Sequence, residues 1–158
     1  MIKTTCNLFA GALMAFASLG SALAQTAGLD GINRVRSAYP MDETIARIRA
    51  DIAAKGILFF QAVDQSQLAA KAGITLRPST LLEFGNPPLG AQFLTANPNA
   101  GLDWPVRLLV SQDENGTVWA AWTDFSWIAK RHNITNRQEQ FATAAGVVQS
   151  ITSTVKAP

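Results

Sequence analysis

Apolar residues recur along this chain at two different periods, and each period predicts a different element. Ile45, Ile48 and Ile52 are three and four positions apart, which places them on one stripe of a helix. The acidic pair Asp42-Glu43 suits the N-terminal end of such a helix, and Lys55-Gly56 suits its C-terminal end. We therefore expect a helix between these two pairs.

A second long helix is predicted at the C-terminal end. Thr135 and Gln138 have capping-box spacing, so we expect Thr135 to cap its start. The apolar positions of its packed face follow in steps of three and four: Phe141, Ala144, Val148, Ile151 and Val155. The segment 125–132 before it predicts a shorter helical piece.

Strict alternation predicts a β-hairpin over residues 106–122. Apolar Val106, Leu108 and Val110 alternate with other residues, as do apolar residues of 118–122 across the turn. Asn115-Gly116 between them favours a turn with positive φ. Three further strands are predicted, namely a short piece from Val35, the run 57–63 (buried on both sides near its start) and residues 79–84.

This order of elements indicates an α+β fold with an antiparallel sheet of about five strands, in the order β-α-β4-α. Two amphipathic helices can cover only one face of such a sheet. The other face is then left to solvent, to a ligand or to a second subunit, and a homodimer through that face is one reading.

The N-terminal segment has the pattern of a secretory signal. Lys3 precedes an apolar run from Leu8 to Leu19, and the small residues Ala22 and Ala24 form a cleavage site. About 12 apolar residues are too few to span a bilayer, which needs roughly 20. We expect cleavage after Ala24, export to the periplasm or the medium, and no membrane attachment afterwards.

The mature chain has a composition that excludes several function classes. Removing residues 1–24 from the 158 leaves 134 residues, and the only cysteine, Cys6, leaves with them. Loss of Lys3 leaves 12 basic against 11 acidic residues, without a basic cluster, so nucleic acid is not an expected partner. One His and no Cys do not suit a zinc site, and no cofactor motif is present.

Few residues are candidates for chemistry. His132, the only histidine, suits either acid/base or metal chemistry, but the last turn of a short helix explains it better. Asp64 and Glu83 end neighbouring predicted strands and could act as an acid/base pair. A turn-capping Asp and a solvent-facing Glu are the favoured alternative, so we predict no catalytic residue.

Arg107 is a better candidate for ligand binding. It lies on a strand between apolar neighbours, where its guanidinium and Trp119 or Trp122 could hold a carboxylate or phosphate. An internal ion pair with Glu83 or Asp103 is the favoured alternative. Trp119 and Trp122 cannot face the same side, so at least one of them meets the uncovered face or a partner.

The stretch "LLEFGNPPLG", residues 81–90, predicts a central strand that stops abruptly. Gly85 relaxes the backbone, and Pro87-Pro88 turn the chain away from the sheet. Glu83 and Asn86 are left facing whatever lies at this end of the sheet, which makes them ligand-binding candidates.

Residues from about Val35 to Ile134 resemble the domain of unknown function 302 (DUF302) family. The strongest matches are 84–87 (Phe-Gly-Asn-Pro) and Asp103-x-Pro105-x-Arg107. The resemblance implies a TATA-binding-protein-like α+β fold but no established activity, catalytic residue or cofactor. Gln65, Glu83 and Trp104 depart from the family's usual residues, which implies a ligand different from that of its relatives.

These observations predict one domain, residues 35–156, after a flexible lead-in at 25–34. The favoured function is a non-enzymatic exported module that binds a small molecule or a protein partner on the uncovered face. One alternative is a hydrolase or isomerase that uses Asp64 and Glu83. The other is a structural accessory, as a homodimer, in an exported redox system.

Overall fold

The computed structural model describes residues 30–158. Its strands are β1 Ile32–Arg36, β2 Leu58–Asp64, β3 Ser79–Gly85, β4 Val106–Gln112 and β5 Val118–Thr123. Its α-helices are α1 Met41–Ala54, α2 Gln65–Lys71, α3 Pro87–Ala96, α4 Phe125–Arg131 and α5 Gln138–Ser153. A 3-10 helix, Pro98–Asp103, precedes β4.

The five strands form one antiparallel sheet in the order β1-β5-β4-β3-β2, with the helices on one side. The predicted α+β class and the order β-α-β4-α are therefore confirmed. The helices α2 and α3 and the 3-10 helix lie between consecutive strands, and α4 follows β5. The tight turn between β4 and β5 requires antiparallel pairing of these two strands, whereas the connections that contain α2 and α3 are longer.

Alternation along the strands separates two faces of the sheet. Leu82 pairs with Leu108, and both are fully buried against the helices. Leu81, Leu109 and Ala121 form one cross-strand row on the opposite side, which we call the uncovered face. Successive side chains of a strand point to opposite faces of the sheet. The alternation in the hairpin sequence therefore predicted correctly which residues lie on each face.

The helix side of the sheet carries the hydrophobic core. In α1, Ile48 and Ile52 are fully buried, as the stripe in the sequence predicts. In α5, Phe141 and Ile151 are buried in the same way. The predicted start of α5 is wrong, because the helix begins at Gln138 rather than just after Thr135.

The bonds at that helix start explain the error. The side-chain amide of Gln138 donates to the carbonyl oxygen of Thr135, whereas no side-chain cap hydrogen bond forms at the N-terminus of α5. Ile134 is buried just before this point. The chain is thus anchored by Ile134 in a non-helical segment, and the capping-box spacing is used for a different contact.

The strand β2 differs from its prediction. It lies at the edge of the sheet and is mostly exposed, with Leu58 53% and Phe60 44% accessible. The expected burial on both sides near its start is therefore wrong. An apolar run cannot by itself distinguish a central strand from an edge strand, because strand order depends on long-range pairing.

The turn between β4 and β5 follows the sequence closely. Gly116 has φ +78°, a conformation that costs glycine little because it has no Cβ. The Asp113 carboxylate accepts hydrogen bonds from the backbone N–H groups of Asn115 and Thr117, each at 2.9 Å. The predicted Asn115-Gly116 turn is confirmed.

Most of the N-terminal predictions concern residues before Asp30. The predicted signal segment 1–24 lies outside the described residues, as does most of the predicted lead-in. The strand β1 begins at Ile32 and so includes the last part of the segment 25–34 that was predicted to be flexible. Of the helices in residues 30–158, none has the length and apolar character needed to cross a membrane.

Candidate functional site

A cavity of about 350 Å³ lies where β3 ends and β4 begins, under the helices; we call it the end cavity. Residues of α3, α4 and α5 close it from the helix side, and Lys55 and Ile57 border it between α1 and β2. Ligand cavities typically occupy about 300–1,000 Å³ and are mostly apolar, so this one has the size of a small-molecule site.

Aromatic side chains form much of the wall of the end cavity. Phe93 of α3 and Phe141 of α5 stack with their ring centroids 4.3 Å apart. Phe84 from the end of β3, Phe125 from the start of α4 and Trp104 complete the aromatic set. Aliphatic residues provide most of the remaining wall: Ile57, Leu89, Val106, Ile128 and Val147. The space therefore favours an apolar ligand.

Trp104 reaches the end cavity because two glycines leave room for its indole ring. A Cβ at Gly85 would lie 3.2 Å from Nε1 of Trp104, and a Cβ at Gly90 would overlap the ring. On another side, Phe60 meets Trp104 edge-on, with centroids 5.8 Å apart. The indole is thus held between the end of β3, the first turn of α3 and the edge strand β2.

Asn86, a predicted ligand-binding candidate, links β3 to α3. Its side-chain oxygen accepts a hydrogen bond from the backbone N–H of Leu89 at 3.1 Å, which caps the helix. Pro87-Pro88 occupy the first turn, where a missing N–H is tolerated. The abrupt end of the strand is therefore the start of a ten-residue helix, and Asn86 borders the end cavity.

His132 and Asp103 form a buried pair beside the end cavity. Nε2 of His132 lies 2.6 Å from a carboxylate oxygen of Asp103, and their side chains are only 5% and 3% exposed. The other Asp103 oxygen accepts from Arg107 and Arg131, each at 3.2 Å. Asp103 also borders the end cavity, so a fully compensated carboxylate lies at its wall.

This cluster joins segments that are far apart in the sequence. His132 follows the last turn of α4, and its carbonyl oxygen accepts from the side chain of Asn97 at 2.8 Å. Asp103 ends the 3-10 helix that leads to Trp104. The sequence predicts His132 in the last turn of a short helix; it is instead the C-cap residue of α4, and its burial against Asp103 was not predicted.

Sequence reasoning missed Asp103 as a partner of His132. The two residues are 29 positions apart, and nothing in the spacing marks such a pair. The motif Asp103-x-Pro105-x-Arg107 was the available signal, since it singled out Asp103 without assigning it a contact. In residues 30–158, no three His, Cys, Asp or Glu side chains are grouped to hold a metal ion.

Arg107 and Glu83 face each other in the register of β3 and β4 on the uncovered face. The Arg107 guanidinium nevertheless donates to the carbonyl oxygen of Leu102 at 2.7 Å and to Asp103. Glu83 accepts from the side-chain amide of Gln61 at 2.8 Å. Of the two ion pairs weighed for Arg107, the structure has the one with Asp103.

Asp64 and Glu83 are not brought together. Asp64 pairs with Thr80, whereas Glu83 pairs with Gln61, three positions further along each strand. The Asp64 carboxylate caps α2 by accepting from the backbone N–H of Gln67 at 2.8 Å. The hydrogen bond from Ser66 and the one from Gln67 lower the pKa of this carboxyl. Asp64 therefore serves as a helix cap.

Of the two hairpin tryptophans, Trp122 is buried on the helix side and Trp119 lies on the uncovered face. Trp122 is therefore placed away from the surface where it was considered as a ligand contact. The indole N–H of Trp119 donates to Asp113 at 2.9 Å. A depression of about 330 Å³ beside it is lined by Ile32, Arg34, Leu109, Ser111, Gln112, Asp113, Trp119 and Ala121.

Comparison with known proteins places this fold in a family. A family model described as "Domain of unknown function DUF302" matches residues 33–155. The chain belongs to the DUF302 family. The predicted resemblance is thus confirmed. The match covers the whole of α5 and all five strands, apart from the first residue of β1.

A solved DUF302 structure has the same architecture. The crystal structure of an uncharacterized conserved DUF302 protein from Bacillus stearothermophilus matches with a TM-score of 0.73 at 21% identity. The match covers 80% of this chain and 98% of that chain. At this identity the likeness concerns the fold.

Curated relatives share part of the sequence. Fluoride-specific ion channel FluC 1 of Brucella suis biovar 1 and FluC 2 of Brucella melitensis biotype 1 are each 36% identical over 104 residues. These residues are 66% of this chain but only 41% and 38% of the relatives. The chain thus spans about two fifths of the length of the curated relatives it matches.

Proposed function

We propose that this DUF302 domain binds a small, mostly apolar molecule in the end cavity. The observation that carries the proposal is an unfilled space of about 350 Å³ whose wall is formed largely by aromatic and aliphatic side chains. Protein interiors are close-packed, with few voids larger than a water molecule. A space of this size and polarity is what a ligand of matching shape would fill.

The arrangement supports binding rather than acid/base chemistry. Asp103 already accepts hydrogen bonds from His132, Arg107 and Arg131, and Asp64 and Glu83 are separated by the register. The fluoride-channel activity named for the relatives is not part of this proposal, because the chain spans about two fifths of their length.

A thermal-shift screen of the purified protein against small apolar metabolites tests the proposal, because a ligand of the folded state raises the unfolding midpoint. Val147→Phe adds a ring at the wall of the end cavity, and we expect it to lower the affinity for a ligand found in the screen by about tenfold or more. The matched control is Ala142→Phe, at an exposed position of the same helix that does not line the cavity. Equal affinity of wild type and Val147→Phe, or a screen without hits, would contradict the proposal.

A second site on the uncovered face is the specific competitor, because the depression beside Trp119 has a volume of about 330 Å³. Leu109 lies on its floor in the central row of the sheet. Under our proposal, Leu109→Gln leaves the affinity for the hit unchanged. Loss of binding in Leu109→Gln with full binding in Val147→Phe would move the ligand to the uncovered face.

We also propose that the protein acts after export. The support is the segment 1–24, with Lys3, an apolar run and the small residues Ala22 and Ala24. The intact mass of the protein in the periplasmic fraction should correspond to a chain that begins at Gln25. A full-length chain confined to the cytoplasm would contradict export.

A further inference from the structure

The polar groups on the wall of the end cavity are not equally available to a ligand. They belong to Lys55, Asn86, Asp103, Trp104 and Thr143. The acceptors are largely engaged, since both Asp103 oxygens have partners and the Asn86 oxygen caps α3. The Thr143 hydroxyl donates to the carbonyl oxygen of Glu139 at 2.8 Å. What remains for a ligand is mostly a set of donors.

Three residues supply those donors. Among the described residues, the indole N–H of Trp104 has no acceptor, and the side-chain N–H groups of Asn86 have none either. Lys55 uses one N–H in its 2.6 Å bond to Asp51, and an ammonium group has three. Lys55 and Asn86 are exposed, so a ligand that reaches this part of the wall meets donors that water would otherwise satisfy.

The sheet register brings these donors to one end of the end cavity. Leu58 pairs with Gly85, so Lys55 and Asn86 lie just beyond the same end of the β2–β3 pair. The Trp104 indole nitrogen lies between Gly90 of α3, where it would overlap a Cβ, and Gly85, at 3.2 Å from the position of a Cβ there. Lys55, Asn86 and Trp104 thus lie near the junction of β3 and α3, and the stacked rings of Phe93 and Phe141 belong to the helix side.

The charges near the wall favour an anion over a cation. The one carboxylate that residues 30–158 place on the wall, Asp103, is compensated by two guanidinium groups, those of Arg107 and Arg131. In the same part of the chain Lys55 is the only other charged residue on the wall, and its partner Asp51 is not part of the lining. A cationic ligand would find no unpaired carboxylate at this wall, whereas an anion would find charge-assisted donors.

We propose that the end cavity takes an apolar carboxylic acid, with its carboxylate at Lys55, Asn86 and Trp104 and its hydrocarbon body among the aromatic rings. This inference rests on the proposed function, and it adds the chemical class of the ligand. The carboxylate accepts from the three donors, and the body replaces water along the apolar wall.

Three probes with one hydrocarbon body test the class: phenylbutyrate, phenylbutyramide and phenylbutylamine, titrated calorimetrically into the full protein near neutral pH. We expect the acid to bind about tenfold more tightly than the amide, and the amine to bind most weakly. Equal or tighter binding of the amide or the amine overturns the class. If Val147→Phe also weakens the binding of that amide or amine, the end cavity is still the binding site and only the proposed chemical class of the ligand is wrong. Failure of all three probes to bind contradicts both.

Lys55→Gln separates a ligand contact from a structural role. We expect it to weaken phenylbutyrate by about tenfold and to leave phenylbutyramide unchanged, because only the carboxylate needs the charge. A purely structural effect would weaken both probes together, and that result overturns the assignment. Lys71→Gln, at the last residue of α2 and outside the cavity lining, is the matched control and should change neither affinity.

Discussion

At Gly90 the identity of a single residue decides the shape of the cavity wall. The position lies in α3, where alanine would ordinarily be preferred over glycine by about 1 kcal/mol. The indole of Trp104 occupies the place that a Cβ would take. The residue is therefore explained by the close approach of the ring, which outweighs helix propensity.

We predict that Gly90→Ala destabilises the protein by about 1–3 kcal/mol, because the indole must shift out of a packed site. In a Trp104→Leu background the same substitution should become neutral or stabilising, since helix propensity then dominates. Urea unfolding of the four proteins of this double-mutant cycle measures both effects.

Gly146→Ala is the matched control for that cycle. It lies in α5, and a Cβ there would meet nothing within 4 Å, so the substitution should stabilise the protein by up to about 1 kcal/mol. Equal effects at Gly90 in the wild-type and Trp104→Leu backgrounds would show that the ring does not constrain this position.

The Asp124 carboxyl gives the stability of the protein a defined dependence on pH. Burial raises the pKa of Asp124, but hydrogen bonds from Ser126 and Asn33 and from the backbone N–H groups of Ser126 and Trp127 outweigh it, so the pKa lies below the ordinary 3.8. A carboxyl whose pKa is lowered by folding stabilises the protein above its unfolded pKa, and that contribution is lost as the pH falls through the folded value.

We therefore predict that the free energy of unfolding of the wild type falls as the pH drops below about 4. Asp124→Asn removes this titrating group, so the variant should be less stable near neutral pH and should lose less stability on acidification. Denaturant titrations at several acidic pH values measure the slope. Parallel slopes for the two proteins would contradict this account of Asp124.

At the scale of elements, the local pattern predicted what depends on neighbours in the sequence. The stripe of α1 and the alternation of the β4–β5 hairpin arise from residues within one turn or one strand pair, and both are present. The edge position of β2 depends on distant pairing partners, so periodicity could not reveal it.

The Asp103–His132 contact is the element-scale feature with the largest expected effect on stability. It ties the 3-10 helix before β4 to the end of α4, with both side chains buried. We predict that His132→Ala costs about 2–3 kcal/mol, because the buried Asp103 oxygen loses its close partner. Thermal and urea unfolding measure the loss.

Arg131→Ala provides the neighbouring control for His132→Ala. Its side chain is 53% exposed and also contacts Asp103, so its removal should cost only about 0–1 kcal/mol. If Arg131→Ala lowered the free energy of unfolding as much as His132→Ala, charge rather than the buried hydrogen bond would account for the stabilising effect of the Asp103 contacts.

At the scale of the whole molecule, the sequence predicted the sheet and its two faces but did not reveal the end cavity. It directed attention to the uncovered face through Glu83 and Arg107, which the structure pairs with Gln61 and Asp103. The end cavity collects residues from Lys55 to Val147 on six elements and the segments between them. Such a space exists only after the helices have packed, so local pattern could not reveal it.

Methyl chemical shifts on adding phenylbutyrate test the central claim most directly. The account predicts that methyl groups of the end cavity, in Ile57, Ile128 and Val147, shift in a saturable way. The chemical shifts of the Leu81 and Leu109 methyl groups, on the uncovered face, should not change. Saturable shifts at Leu81 and Leu109, with Ile57, Ile128 and Val147 unmoved, would contradict the claim that the ligand site is the end cavity.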